Sequence, residues 1–261
     1  MDFEGAVIDL DGTVYRGERL IDGARDAIRT FRERGLGVVF VTNNPTRSPA
    51  GYVERLADLG IEADEREVLS AGTVTAEFLA DRHPDDDVFV IGSDGLREQL
   101  RMAAVDTTTD PSAADVVVTS HDYGFDYDAL TGGLWALDAA EAFYGTDPDR
   151  TYPGGDGRPY PGSGAITRAV AGVAGREPDR VLGKPSGVVL ELIGERLATL
   201  ENCLVVGDGL DTDIALGERA GMTSVLVTTG RSDRADAETA DVNPDYVVDG
   251  LADVPGLLER G

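Results

Sequence analysis

The sequence predicts an α/β protein with a doubly wound, Rossmann-like parallel sheet and a smaller α/β domain inserted into it. Short apolar segments alternate with amphipathic ones along the 261 residues, polar clusters follow several apolar segments, and a second alternation occupies the middle of the chain. Continuous apolar strands separated by amphipathic helices are typical of a parallel sheet that is covered on both faces. In such sheets, ligands bind beyond the carboxyl ends of the strands.

The first and last parts of the chain supply the main sheet of this prediction. Ala24, Ile28 and Phe31 lie on one face of a predicted helix over residues 22–34, which ends at Gly35. Strands are expected over residues 3–9, 36–41, 203–206, 224–227 and 246–248, and further helices over residues 49–59 and 214–220. Residues 1–80 and 181–261 are therefore assigned to the core domain.

The middle of the chain, residues 81–180, is predicted to be the inserted domain. Residues 88–91 and 116–119 have the apolar pattern of strands, and helices are expected to begin at Asp94 and Tyr127. Charged, proline-containing stretches border this segment on both sides. Such stretches are typical of domain boundaries.

The charge of the chain excludes several classes of partner. Lys and Arg total 23 and Asp and Glu total 49, which gives a net charge of −26. We expect this charge to repel nucleic acids and anionic membranes. No segment has the length of a transmembrane helix and no signal peptide opens the chain, so a cytoplasmic location is expected. The lone Cys203 excludes an internal disulfide and a cysteine zinc site.

Lysine is nearly absent, since Lys184 is the one lysine in the chain. A composition poor in lysine and rich in Asp and Glu resembles that of proteins from salt-accumulating halophilic archaea, in which dense salt screens the self-repulsion. A lysine that persists in such a chain indicates a role that arginine cannot fill. A compact ammonium on a flexible stem suits an oxygen shared by several groups.

Asp9 and Asp11 end the first predicted strand, two residues apart. If the chain stays extended there, both carboxylates point to one side. Two facing carboxylates suit a divalent cation, a nucleophile beside a general acid, or both. The alternative is a turn in which aspartate caps the backbone, because Asp-Gly is common in turns.

Further polar residues follow other strands of the predicted sheet. Thr42 and Asn43 offer a hydroxyl, an amide and backbone N–H groups to an anion, although a turn with an N-cap is the favoured explanation when this pair is taken alone. Asp208 follows the strand over residues 203–206 and can join Asp9 as a magnesium ligand. We expect Asp213 to lie behind Asp208. The alternative is that these aspartates only form the acidic N-terminus of the following helix, which the helix dipole stabilises.

Four segments in this order resemble the motifs of the haloacid dehalogenase superfamily of phosphohydrolases: Asp9-Leu10-Asp11-Gly12-Thr13-Val14, Thr42-Asn43-Asn44, Lys184-Pro185, and Gly207-Asp208 with Thr212-Asp213. The run over residues 41–48 and the place of the insert are similar to the NagD-type, p-nitrophenylphosphatase-like branch. Residues 146–149 and 160–164 resemble the signature of that branch's inserted domain, called the cap.

The resemblance implies a role for each residue that matches a motif. Asp9 would be the nucleophile that accepts the phosphoryl group, and Asp11 the general acid and base. Lys184 would offset the negative charge of Asp9 and the phosphoryl group. The phosphate oxygens would be held by Thr42, Asn43 and Asn44.

The resemblance also implies a bound Mg²⁺. Its ligands would be Asp9, Asp208 and the backbone carbonyl of Asp11, with Asp213 in the outer shell. Mg²⁺ and Lys184 together would bring about three positive charges to a dianionic phosphate that lies beside two carboxylates. A cation is thus required for the anion to bind.

In the cap, Asp147 and Asp149 are expected to contact substrate. This chain has Asp147 where the family's signature usually has asparagine. An ionised carboxylate cannot donate a hydrogen bond, so Asp147 indicates either a different substrate or a drift towards acidic residues.

The function expected is Mg²⁺-dependent hydrolysis of a small soluble phosphate monoester through an aspartyl phosphate. Candidate substrates include sugar phosphates, nucleotides, phosphoglycolate-like esters and p-nitrophenyl phosphate. The alternatives are a phosphomutase or phosphotransferase on the same scaffold, and a non-enzymatic phospho-acceptor or binding module. The partner expected is a small phosphorylated metabolite, and the resemblance leaves a homo-oligomer formed through the cap open.

Overall fold

The computed structural model describes residues 3–154 and 158–258. The chain divides into two compact units. Unit 1 comprises Met1–Thr42, Pro49–Leu69 and Lys184–Gly261, and unit 2 comprises Asn43–Ser48 and Ser70–Gly183. The chain thus passes from unit 1 into unit 2 after Thr42 and again after Leu69, and it returns to unit 1 at Pro49 and at Lys184.

The described residues contain strands that are mostly short and apolar. In chain order, they are β1 (Gly5–Ile8), β2 (Tyr15–Arg16), β3 (Arg19–Leu20), β4 (Gly37–Thr42), β5 (Val68–Ser70), β6 (Val88–Ile91), β7 (Thr107–Thr108), β8 (Val116–Thr119), β9 (Ala142–Gly145), β10 (Thr151–Pro153), β11 (Pro159–Pro161), β12 (Arg180–Val181), β13 (Cys203–Gly207), β14 (Thr223–Val227) and β15 (Tyr246–Val248).

The helices lie between these strands. They are α1 (Ala24–Glu33), α2 (Pro49–Asp58), α3 (Ala71–Arg82), α4 (Asp94–Met102), α5 (Tyr127–Ala139), α6 (Ser163–Ala174), α7 (Gly187–Arg196), α8 (Ala215–Ala220) and α9 (Arg234–Thr239), with a π-helical turn at Leu210–Ile214. Within the described residues, no helix combines the length and the apolar character needed to cross a lipid bilayer.

Unit 1 contains a six-stranded sheet in the order β15-β14-β13-β1-β4-β5. Strand β1 pairs in parallel with β13 on one side and with β4 on the other, so that Ile8 lies opposite Val206 and Phe40. This register brings the carboxyl ends of β1, β4 and β13 to one edge of the sheet. The predicted α/β fold with a parallel core sheet is confirmed.

The core of unit 1 explains why these strands are almost wholly apolar. Every residue of β1 is buried, and α1 buries Ala24, Ala27, Ile28 and Phe31. The face predicted for this helix is therefore confirmed. The helix begins at Ala24 and not at residue 22, because Gly23 before it adopts a left-handed conformation with φ of 74°.

Unit 2 has its own parallel sheet, in the order β12-β9-β8-β6-β7. Its apolar core includes Val117, Phe143, Ile166 and Val170. The longer segment of this unit begins at Ser70, and its first helix, α3, packs against α4. The assignment of residues 81–180 to an inserted domain stays a prediction. The two units thus repeat one architecture at different sizes.

Candidate active site

Asp9 is the first residue after the central strand β1. Its backbone N–H donates to the carbonyl of Val206 at 2.9 Å, which continues the parallel pairing beyond the strand. The residue is 7% exposed. One carboxylate oxygen, Oδ1, accepts a hydrogen bond from Lys184, whereas the buried Oδ2 has no hydrogen-bond partner among residues 3–154 and 158–258. Asp9 therefore presents one engaged and one unengaged oxygen.

The turn after Asp9 is held by its own backbone. The carbonyl of Leu10 accepts from Val14 at 2.9 Å, and Gly12 donates to the carbonyl of Tyr15 at 2.8 Å. Gly12 has φ of +94°, a conformation that a side chain would strain. Asp11 is exposed in this turn. The predicted pair of aspartates thus consists of a buried member and a solvent-accessible one.

Lys184 lies buried among oxygen atoms of unit 1, with 2% of its surface exposed. Its Nζ donates to Asp9 Oδ1 at 2.6 Å, to Asp213 Oδ1 at 2.6 Å and to the carbonyl of Val41 at 2.9 Å. Burial alone would lower the pKa of this ammonium, but the charges of Asp213 and Asp9 outweigh burial and raise it. Lys184 therefore remains charged and ties Asp9 to Asp213.

Asp208 follows strand β13 in a tightly packed position. Its Oδ2 accepts a hydrogen bond from the backbone N–H of Arg231 at 2.7 Å. A Cβ atom at Gly12 or at Gly230 would overlap with this same oxygen. Burial and the charge of Asp213 raise the pKa of Asp208 to about 6, although the Arg231 N–H acts in the opposite direction. The loops that contain Gly12 and Gly230 thus enclose the Asp208 carboxylate.

Asp213 is positioned by the π-helical turn. The carbonyl of Gly209 accepts from the N–H groups of both Asp213 and Ile214, at 2.9 and 3.1 Å. The N–H of Gly209 in turn donates to Asp213 Oδ2 at 3.0 Å, while Oδ1 accepts from Lys184. Both carboxylate oxygens of Asp213 are therefore engaged by the protein itself.

The carboxylates of Asp9, Asp208 and Asp213 form a cluster that fits a hard divalent cation. One oxygen from each lies within 4.8 Å of the others. Burial, together with the charges of Asp213 and Asp208, raises the pKa of Asp9 well above its usual range, against the opposing effect of Lys184. A cation would relieve this repulsion.

The predicted phosphate-binding segment follows β4. Thr42 ends the strand within unit 1 and is 3% exposed, and Asn43 is 7% exposed. Asn44 Oδ1 accepts from the backbone N–H and the hydroxyl of Thr46, at 3.1 and 2.7 Å. This turn engages the side-chain oxygen of Asn44, so a contact between Asn44 and substrate stays a prediction.

In unit 2, Asp147 is buried and held by its neighbours. Its carboxylate accepts from the hydroxyl of Thr146 at 3.0 Å and from the N–H of Asp149 at 3.1 Å. Burial, with a smaller effect from the charge of Asp149, raises the pKa of Asp147 to about 7. The carboxylate of Asp147 thus has hydrogen-bond partners within unit 2. The substrate contacts predicted for Asp147 and Asp149 stay predictions.

Some residues of the site carry no motif in the sequence. Gly230 and Arg231 follow β14 and enclose Asp208, yet a Gly-Arg pair is common in loops. The signal that could have located Gly230 is its place after a strand of the central sheet.

Two family models match the chain in the regions that carry this site. Residues 6–106 match a model described as haloacid dehalogenase-like hydrolase, and residues 181–254 match a second, HAD-hydrolase-like model. The chain belongs to the haloacid dehalogenase superfamily. The predicted family and its hydrolase class are thereby confirmed.

Individual members of the superfamily are similar over almost the whole length. Sugar-phosphatase AraL of Bacillus subtilis is 36% identical over 98% of this chain and 94% of the relative, and 5'-nucleotidase YutF of the same organism is 32% identical over 96% and 97%. A solved p-nitrophenyl phosphatase from Archaeoglobus fulgidus is 34% identical, with a TM-score of 0.90 over 98% of this chain and 100% of that one. The superfamily member described here is thus of the NagD and p-nitrophenylphosphatase type.

Proposed function

We propose that the protein is a Mg²⁺-dependent phosphatase that hydrolyses a small phosphate monoester through an aspartyl phosphate. The observation that carries this proposal is Asp9, whose Oδ1 is fixed by Lys184 while its buried Oδ2 is without a hydrogen-bond partner in the described residues. A nucleophile needs such an oriented, unengaged oxygen. The names of the relatives, which include a sugar phosphatase and a 5'-nucleotidase, support the reaction class of phosphoric monoester hydrolysis.

Two steps follow from these positions. In the first, Asp9 Oδ2 forms a bond to phosphorus, the bond from phosphorus to the ester oxygen breaks, and Asp11 gives its proton to the leaving alcohol. In the second, Asp11 takes a proton from water, whose oxygen attacks phosphorus and displaces Asp9. Inorganic phosphate leaves, and both aspartates return to their starting states. The exposure of Asp11 suits its exchange of protons with alcohol and water.

Lys184 and the predicted phosphate-binding residues stabilise the negative charge of Asp9 and of the phosphoryl group. The Lys184 ammonium acts to lower the pKa of Asp9, against the larger effect of burial, and so favours the ionised carboxylate that attack requires. Thr42 and Asn43 offer donors to the phosphoryl oxygens. Asp9, Asp208 and the backbone carbonyl of Asp11 would hold Mg²⁺, which supplies charge stabilisation at the phosphoryl group when bound. Asp213 would act behind them by fixing Lys184.

We assign selection of the leaving group to unit 2, which contains the predicted cap residues. Relatives with similar chains are named for a sugar phosphate, a nucleotide and p-nitrophenyl phosphate. We therefore expect a small phosphorylated metabolite as substrate. A cytoplasmic location and a homo-oligomer formed through the cap remain predictions from the sequence.

Replacing the nucleophile tests this proposal. Asp9→Asn should lower kcat by roughly 10³-fold or more, because an amide oxygen is a poor nucleophile. Release of inorganic phosphate from a panel of phosphate esters, with Mg²⁺ and with a chelator, measures the loss. The control is Asp211→Asn, which removes an exposed carboxylate paired with Arg231 on a neighbouring loop.

The fold of Asp9→Asn is checked by circular dichroism. If the folded variant kept more than a few per cent of wild-type turnover, the nucleophile assignment would be wrong. Transfer of the phosphoryl group to a sugar hydroxyl, without matching release of inorganic phosphate, would instead favour the phosphotransferase alternative.

A further inference from the structure

Gln99, on α4 in unit 2, is a buried amide with hydrogen bonds on both of its ends. It is 4% exposed. Its Oε1 accepts from the hydroxyls of Ser70 and Thr73, each at 3.0 Å. Its Nε2 donates to the carbonyl of Pro45 at 3.0 Å and to that of Gly95 at 3.1 Å. The amide thus uses two donors and two acceptor positions, which is its full capacity.

One of these partners, Pro45, directly follows the residues that are predicted to bind phosphate, Thr42, Asn43 and Asn44. Pro45 is buried and lies two residues after Asn43. The Asn44–Thr46 hydrogen bonds close a turn around it. A buried carbonyl without a donor destabilises the conformation that buries it. The Gln99 amide therefore stabilises one conformation of residues 43–48.

Backbone contacts restrict the same segment from other directions within unit 2. A Cβ atom at Gly95, in the first turn of α4, would overlap with the carbonyl oxygen of Thr46. A Cβ atom at Gly183 would lie 2.7 Å from Asn43 Oδ1 and 2.8 Å from the carbonyl oxygen of Thr146. Little space is left for the segment to move while these contacts persist.

We propose that Gln99 is a positioning residue for phosphate binding. It holds the turn at Pro45 and thereby fixes the direction in which Asn43 presents its amide. This inference rests on the proposed function, because it takes Asn43 as a ligand of the phosphoryl group. It gives Gln99 a role that is separate from recognition of the leaving group.

The variant Gln99→Met tests the proposal, because methionine has a similar length and forms no comparable hydrogen bonds. Inorganic phosphate is the probe, measured as a competitive inhibitor in the presence of Mg²⁺. We expect its inhibition constant to rise about five- to tenfold, as for the loss of one well-formed hydrogen bond to a buried group. KM for a phosphate ester should rise by a similar factor.

Thr75→Val is the matched control. Thr75 is buried on α3, and its hydroxyl donates to the carbonyl of Ala71 at 2.7 Å within the same helix. Its removal should lower the melting temperature without changing phosphate inhibition. Hydrogen exchange of the amides in residues 43–48 supplies a readout independent of catalysis. We expect faster exchange in Gln99→Met and unchanged exchange in Thr75→Val.

A second variant keeps the proposal testable if Gln99→Met does not fold. Gly95→Ala leaves the Gln99 side chain intact and displaces Thr46; it should weaken phosphate inhibition in the same way. A folded Gln99→Met or Gly95→Ala whose phosphate inhibition stays within about twofold of wild type overturns the positioning role. An equal loss in Thr75→Val also overturns it. A wild type that releases no phosphate from any ester refutes the proposed function instead.

Discussion

Lys184 shows how one buried cation organises a cluster of acids. It donates to Asp9 and Asp213 at 2.6 Å each. A compact ammonium can approach both oxygens and the carbonyl of Val41 together, whereas the planar guanidinium of arginine would need more space. We therefore interpret the persistence of this lysine, in a chain that otherwise uses arginine as its cation, as a requirement of geometry.

Asp147 predicts a pH-dependent stability. Its pKa is raised to about 7 by burial, so the folded protein binds a proton that the unfolded chain loses near pH 4. The stability contribution of this carboxyl therefore falls as pH rises from about 4 to 7. We expect Asp147→Asn to raise the free energy of unfolding at pH 8 by on the order of a few kcal/mol. The melting temperature should then rise by several degrees at pH 8 and change little at pH 4.

Thermal unfolding at both pH values measures this difference. Asp85→Asn, which replaces an exposed carboxylate of the same unit, is the control and should give no comparable change. A melting temperature of Asp147→Asn at pH 8 equal to that of wild type would show that the buried carboxyl carries no such penalty.

For individual residues, the sequence pattern and the structure agree where the residue directly follows a strand. Asp9, Thr42 and Asp208 were predicted to share an edge because each ends a predicted strand, and the register of β1 with β4 and β13 aligns those ends. Gln99 could not be found in this way. Its importance depends on Pro45, 54 positions away in the chain, and local patterns carry no information about such a pairing.

Helix α6 contains two glycines with opposite roles. A Cβ atom at Gly164 would overlap with the carbonyl oxygen of Pro148, whereas one at Gly172 would meet nothing within 4 Å. Alanine stabilises a helix interior by about 0.5–1 kcal/mol relative to glycine. We expect Gly172→Ala to stabilise the protein by this amount and Gly164→Ala to destabilise it.

Urea unfolding of the two variants measures both free energies, and each serves as the control for the other because they share one helix. Equal effects would contradict the interpretation that close packing, and not helix propensity, fixes the residue at position 164.

Elements of ordinary type were predictable, whereas irregular ones were not. The apolar runs of β1 and β4 and the periodic face of α1 are strong local signals. The hairpin of β10 and β11 was not expected, because prolines within its strands argue against a strand. The π-helical turn at Leu210–Ile214 was also missed, since it depends on one carbonyl accepting two N–H groups.

For the whole molecule, the net charge of −26 predicts a dependence on salt. The Debye screening length falls from about 10 Å at 0.1 M salt to about 3 Å at 1 M, so repulsion among surface carboxylates weakens. We expect the melting temperature to rise from dilute to molar KCl, by the order of ten degrees for a chain so highly charged.

Sucrose, which favours compact states without screening charge, is the control for this measurement. A melting temperature that is flat or falls with KCl would remove the basis for comparing this composition with that of halophilic proteins.

The division into two units follows from composition as much as from pattern. Each unit has enough apolar strands to bury a core of its own, and the sequence shows a second alternation of strands and helices in the middle of the chain. The beginning of the longer segment of unit 2 is not evident from local patterns. Helix α3 has little amphipathic pattern, because its first six residues are all buried, and its packing on α4 depends on residues that are distant in the sequence.

The burial of Lys184 also gives the protein a built-in reporter. An acylating reagent that attacks side-chain amines finds a single target in this sequence, and that target is 2% exposed in the folded state. The rate of its modification therefore measures how often unit 1 opens far enough to admit the reagent. Local unfolding can thus be followed without an introduced label.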